Sequence, residues 1–225
     1  MNTVPTVSDA KRAFFKAFPQ PISAIYRKIV DELLVELHLL TVNQTFRYDS
    51  VFALGVITVF DRFMEGYPGD LLPLGEALFQ AVRLSMQQLR QDAERLRTLA
   101  TNHGAELLQF LTTLATNTNI DLSPLDAQLK EIAANPQFKY SRLFAVGLFT
   151  LIETIVDDKE KQTEVLKQCC HTLYPHWNQQ DSSPADRFLR DLDLYRSNLE
   201  KAQQAKLMMS ELVEAEKKKK AKVQK

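Results

Sequence analysis

The sequence predicts an all-α protein, a single multi-helix bundle built around two internally repeated helices and ending in a long C-terminal helix. Three observations predict it. The stretch Phe46-Arg-Tyr48-Asp-Ser-Val-Phe52-Ala-Leu-Gly55-Val-Ile-Thr58-Val-Phe-Asp61 recurs 92 residues later as Phe138-Lys-Tyr140-Ser-Arg-Leu-Phe144-Ala-Val-Gly147-Leu-Phe-Thr150-Leu-Ile-Glu153. Each copy opens on residues able to cap a helix, Asp49 and Ser50 or Ser141, and then runs apolar on every side. A helix without a polar face belongs inside a core. Most other segments space their apolar residues by three and four, and none alternates apolar with polar over a convincing length, which leaves no place for a sheet.

The first element is a short helix capped by Ser8 or Asp9, with Ala13, Phe14, Ala17 and Phe18 on one side and Pro19 and Pro21 as its stop. A long helix follows, on which Ile22, Ile25, Ile29, Val30, Leu33, Leu34, Leu37 and Leu40 form one stripe. After the first repeat, Gly66-Tyr67-Pro68-Gly69 is turn chemistry, and Pro73 suits the opening of a helix expected over 74–100. Gly104 separates it from a helix at 105–116 that Asn117-Thr-Asn119 breaks. Ser123 and Pro124 read as cap and first helical position of the next, which Asn135-Pro136 closes before the second repeat. Leu125, Leu129 and Ile132 lie 92 residues after Leu33, Leu37 and Leu40, a hint that a pair of helices was duplicated. Another helix near 160–173 ends at Tyr174-Pro175.

From Ser183-Pro184 onward neither glycine nor proline interrupts the chain. Steps of three and four give Ala185, Phe188, Leu192, Tyr195, Leu199, Ala202, Lys206, Met209 and Val213, a seam broken at Lys206. The organisation expected is a helical bundle over 1–182 and a long helix over 183–225, its first half packed and its second half projecting. Within the two repeats Phe46, Tyr48, Phe52, Gly55, Asp61 and their mates Phe138, Tyr140, Phe144, Gly147, Glu153 are expected as structural core. Glycine in mid-helix costs roughly 1 kcal/mol against alanine, so Gly55 and Gly147 signal a close approach of another backbone.

Composition narrows the function classes. The apolar runs 51–60 and 143–152 fall short of the ~20 residues needed to cross a bilayer, and the first eight residues lack the basic start and apolar middle of a signal peptide. Cys169 and Cys170, the only cysteines, are adjacent and poorly placed to bridge, which fits a reducing cytoplasm. The chain carries 28 basic and 28 acidic residues. Six lysines crowd the end (Lys217, Lys218, Lys219, Lys220, Lys222, Lys225), so the remainder stands at about −6. Those lysines suit the negative end of a helix dipole and equally an anionic membrane surface. Nucleic acid is not expected, because no aromatic residue interleaves them and the acidic body repels phosphate.

The candidate chemistry is a set of carboxylates, Asp61 and Glu153 at equivalent places in the repeats, with Glu32, Glu36 and His38 on a neighbouring helix. A helical bundle holds metal or pigment with such groups, but the Glu-x-x-His pairs of di-iron proteins are missing. The alternative is that Asp61 and Glu153 pair with Arg62, Arg27 or Arg142, since a buried charge must be compensated. Cys169, Cys170, His171 and His176 do not share a helical face or a zinc spacing, and read as buried small residues. Tyr48 and Tyr140 are expected to bond a carboxylate or a backbone group. No P-loop, dinucleotide fingerprint or Gly-x-Ser-x-Gly is present. No cofactor and no catalytic residue is expected.

Val7-Ser-Asp-Ala-Lys-Arg-Ala-Phe14, Pro21-Ile-Ser-Ala-Ile25-Tyr26-Arg27, Glu36-Leu-His38-Leu-Leu40 and Phe60-Asp61-Arg62-Phe63-Met64-Glu-Gly66-Tyr67 resemble the thylakoid formation protein family. So does Asp193-Leu-Tyr195-Arg196-Ser-Asn-Leu-Glu200-Lys201-Ala-Gln-Gln-Ala205 in the last helix. The resemblance implies a helical protein of cyanobacterial type without catalytic activity. It implies a role in photosystem II biogenesis and repair alongside the FtsH protease, and peripheral attachment to the cytoplasmic side of the thylakoid membrane. Lys206 and the terminal lysines are the residues expected to meet the partner or the membrane.

Overall fold

The computed structural model describes residues 4–115, 120–176 and 183–223, with side chains as far as Met208. Its helices are α1 (Val7–Ala17), α2 (Ala24–Thr41), α3 (Ser50–Met64), α4 (Leu71–Ala81), α5 (Met86–Asn102), α6 (Gly104–Thr113), α7 (Leu125–Ala134), α8 (Arg142–Ile155), α9 (Lys159–Leu173) and α10 (Pro184–Val223). The fold is all-α, with no strand among the described residues.

The repeats become α3 and α8, and their capping residues act alike. Asp49 Oδ1 accepts from the Phe52 amide at 2.8 Å, and Ser141 Oγ accepts from the Phe144 amide at 3.1 Å. The two helices pack along each other in the middle of the molecule, with nearly every side chain of both buried. Backbone meets backbone at the glycines. A Cβ built on Gly55 would overlap the Leu143 carbonyl oxygen and lie 2.9 Å from the Gly147 nitrogen; one built on Gly147 would overlap the Val51 carbonyl oxygen and lie 2.9 Å from the Gly55 nitrogen. Any side chain there would push the central helices apart, which explains why the most helix-averse residue short of proline occupies both positions.

Other elements are laid on this pair. α5 covers α3, α1 sits on α2 and α4, and α9 gathers α6, α7 and α8. The first half of α10 buries Phe188, Leu192 and Tyr195 against α8 and α9, then touches α2 and α3. Phe52, Phe144, Gly55 and Gly147 are core. Phe46, Tyr48, Phe138 and Tyr140 are half-buried and pack against it. Asp61 and Glu153 are not core: their side chains keep 39% and 35% of their exposure near the C-terminal ends of α3 and α8.

Several boundaries depart from the sequence reading. The helix expected over 74–100 is two helices. Asp70 accepts from the Leu72 amide and starts α4 early, and the chain then folds back on itself as the Arg83 amide donates to Gln80 and the Leu84 amide to Phe79. Arg83 takes the left-handed conformation, φ 63°, and Ser85 Oγ caps α5 by accepting from Gln88. α1 is capped by Thr6 rather than Ser8 or Asp9: Thr6 Oγ1 accepts from the Asp9 amide while the Asp9 carboxylate accepts from the Thr6 amide, a reciprocal pair. Pro124 is the N-cap of α7 instead of its first helical residue, and follows a cis bond from Ser123. α6 stops at Thr113, where Leu114 turns left-handed at φ 54°, so its expected end at 116 is not reached; the Asn117-Thr-Asn119 break lies outside the described residues. α7 packs chiefly on α9 and α3 while α2 packs on α1, α3 and α4, so the duplicated spacing of their leucines does not produce equivalent neighbours.

Candidate functional site

The repeat carries its polar anchors with it. Tyr48 donates to Asp92 on α5 at 2.6 Å, and Tyr140 donates to Asp191 on α10 at 2.6 Å. Burial and then the adjacent carboxylate push both phenols above their ordinary range. Each copy therefore ties its central helix to a different outer helix. Asp49 is itself fully enclosed, and burial pushes its carboxyl up to about 7, partly offset by the amides of Phe52 and Val51 that it accepts from. Beside it Ser50 donates from both its amide and its hydroxyl to Gln128 on α7.

The carboxylates singled out as a possible ligand set are dispersed among arginines. Arg90 donates to both oxygens of Asp61 at 3.2 and 2.8 Å, Arg62 lies 3.6 Å from Glu153, and Arg142 lies 2.6 Å from Glu36. Glu32 faces Lys28 at 3.9 Å, and His38 is buried on α2. Among the described residues no three His, Cys, Asp or Glu side chains converge as metal ligands would. Of the bases expected to pair with Asp61 and Glu153, Arg62 meets Glu153, whereas Arg142 meets Glu36 and Arg27 lies over the Phe15 ring; Arg90 was not foreseen, because the break at Arg83 that sets the course of α5 left no glycine or proline signal. Cys169 and Cys170 are buried, and desolvation raises both thiols, Cys169 to about 12, which leaves them poor nucleophiles. A cleft of about 520 Å3 runs between α5 and the segment 121–125. Its leucine floor is already buried, and its rim is crossed by Arg95, which donates to the Ser123 carbonyl and lies 3.9 Å from Asp121.

The stretch of α10 around Lys206 is the most informative place on the surface. Lys206, expected as a free cation for a partner, is docked instead. Its Nζ donates to the Phe63 carbonyl at 2.7 Å and the Glu65 carbonyl at 2.9 Å, at the end of α3, and stands 5.3 Å from the centre of the Tyr26 ring. Burial lowers its pKa from the ordinary lysine value. The Tyr26 hydroxyl donates to the same Glu65 carbonyl at 3.2 Å, and Gly66 follows at φ 77°. A cation set on the carbonyl end of a helix is favoured by the helix dipole and satisfies acceptors that have no partner within the helix. The sequence marked Lys206 as a break in the seam; the break is an anchor, and its partners are carbonyls that no side-chain pattern reveals. Past it, Leu207 and Met208 are 61% and 63% exposed. The side chains of Lys217, Lys218, Lys219, Lys220, Lys222 and Lys225 lie outside the described residues.

Residues 6–224 match the family model described as thylakoid formation protein. The chain belongs to that family. Protein Thf1 of Synechococcus elongatus is 44% identical to it over 221 residues, spanning 97% of this chain and 85% of that protein. Protein Thf1 of a Cyanothece species is 45% identical over 224 residues, spanning 97% and 91%. A solved structure of Psb29 shares the fold with a TM-score of 0.75 at 40% identity, covering 96% of this chain and 99% of that one. The thylakoid formation protein fold is thus reached by both sequence and shape, and among its described residues no helix is long and apolar enough to cross a membrane.

Proposed function

We propose that this member of the thylakoid formation protein family is a non-catalytic accessory of thylakoid biogenesis. It supports photosystem II assembly and repair together with the FtsH protease, from a peripheral position on the cytoplasmic side of the thylakoid membrane. Family membership supports the thylakoid role. The observation that carries the mode of action is the change at Lys206: the helix is held to the body up to that residue, and Leu207 and Met208 are then exposed ahead of a run of six lysines. Each lysine near an anionic membrane surface contributes roughly 1 kcal/mol, enough together for attachment that is firm but reversible.

Deleting residues 207–225 is expected to leave the thermal melt of the body unchanged while lowering co-sedimentation with thylakoid membranes and co-purification with the protease. Association undiminished by the deletion would overturn the reading.

A further inference from the structure

The C-terminal ends of α2 and α4, with Val4 and Pro5 ahead of α1, line a polar cleft of about 330 Å3, a volume within the range of small-molecule sites. His38, in the last turn of α2, lines it and keeps 4% of its exposure. Among the described residues nothing hydrogen-bonds its imidazole, yet the ring nitrogens are not sealed in the core. A buried imidazole left open on a cleft is a hydrogen-bonding group in want of a partner. Arg83 lines the same space and pairs with no carboxylate among the described residues. Its backbone is left-handed, φ 63°, at the residue after the C-cap of α4, where glycine is usual. Glycine would sit there without strain; the arginine accepts strain and brings a fixed positive charge to the cleft, as residues of ligand clamps do.

The cleft also offers acceptors. Thr41 and Ala81, the final residues of the two helices, have carbonyls that accept no hydrogen bond among the described residues, because the capping amides go to His38, Leu40, Phe79 and Gln80 instead. No carboxylate lines the cleft. Asp9, the acid that feels the charge of His38, is taken up by the Thr6 amide at 2.9 Å, the Thr6 hydroxyl at 2.7 Å and Arg12 at 3.3 Å.

We propose that this cleft binds a small hydroxylated oxyanion, of the class of sugar phosphates and hydroxy acids. Arg83 and His38 donate to the anionic oxygens, and the Thr41 and Ala81 carbonyls accept from the hydroxyls. The guanidinium fork suits phosphate and carboxylate alike. Carbonyls at the negative ends of two helices disfavour a bare anion, so the hydroxyls that satisfy them are what distinguish this ligand from inorganic phosphate. The cleft owes nothing to the last helix, and the function proposed above stands or falls separately.

The chain has four histidines, so NMR of the imidazole signals, with His38 assigned by its loss in H38N, reads the site directly. The probes are glycerol 3-phosphate, glycerate and inorganic phosphate, added to the full chain. The His38 signal is expected to shift saturably with one or both hydroxylated anions, with a Kd on the order of 1 mM, and the tighter of the two tells ester from acid. Inorganic phosphate, lacking the hydroxyls, is expected to bind about tenfold more weakly. R83G removes guanidinium and strain together, so it is expected to raise the melt while weakening binding about tenfold or more; R83Q keeps the strain and weakens binding as much. No shift of His38 with any probe overturns the inference, as does a shift that grows without saturating, which would mean an adventitious ion only. Equal affinity for inorganic phosphate and the hydroxylated anions overturns it, and so does binding by both Arg83 variants within about twofold of wild type, well short of the loss of a charge-assisted bond.

Discussion

Two kinds of residue decide this fold, those that must be absent of side chain and those that must be buried with charge suppressed. Gly55 and Gly147 are of the first kind. Gly55→Ala places a methyl on the Leu143 carbonyl, and the neighbour is backbone that cannot swing aside. The expected cost is about 1–3 kcal/mol despite the better helix propensity of alanine, and a calorimetric melt should fall by some 2–4 °C per kcal/mol. Asp49 is of the second kind. Its carboxyl titrates at about 7 in the folded protein against the ordinary 3.8, so between those values the unfolded chain has released a proton that the folded chain retains. Stability from this group is therefore complete at low pH and lost as pH rises toward about 7. Asp49→Asn keeps an acceptor for the Phe52 amide and has no proton to lose, so its stability advantage over wild type is expected to grow between pH 4 and 7. Denaturant titrations across that range check it, and an advantage independent of pH would refute the buried-acid account.

At the scale of elements, what the sequence made legible was periodicity, and what it hid was backbone closure. The central helices could be read because their apolar residues leave no polar face and their caps, Asp49 and Ser141, sit where the repeat demands. The two halves of the 74–100 segment could not be separated, because the break falls at Val82-Arg83-Leu84, residues that carry no turn preference and are turned by hydrogen bonds from their amides to the Gln80 and Phe79 carbonyls. One signal was available: Ser85 followed three residues later by Gln88 is the spacing of a capping box. The same limit applies at Lys206, whose partners are main-chain carbonyls. Lys206→Met is expected to leave the main melting transition nearly in place while amides of α10 from about Leu199 onward lose hydrogen-exchange protection, since only the distal anchor is removed. Protection unchanged over that stretch would mean that packing of the seam alone holds the helix.

At the scale of the whole molecule, the candidate site is a stretch of helix where the buried Phe188, Leu192 and Tyr195 give way, past Lys206, to the exposed Leu207 and Met208, rather than a pocket, which is why no constellation of reactive side chains announced it. Three of the carboxylates that invited a catalytic or metal reading are drawn to an arginine from a different helix, Asp61 to α5, Glu153 to α3 and Glu36 to α8, and so serve as fasteners between layers, while Glu32 faces Lys28 on its own helix. Deletion of 207–225 separates the two jobs, because the fasteners and the glycine contact all lie in the body.

The glycine contact has one more implication. Val51 and Gly55 meet Gly147, and Leu143 and Gly147 meet Gly55, so each copy offers the other the same patch that it receives. That reciprocity is the mark of a surface built to associate with its own duplicate, as in a two-fold homodimer. Here both partners are joined in one polypeptide, and the tether lets their outer faces diverge, one toward Asp92 and the other toward Asp191, while the shared seam stays the same.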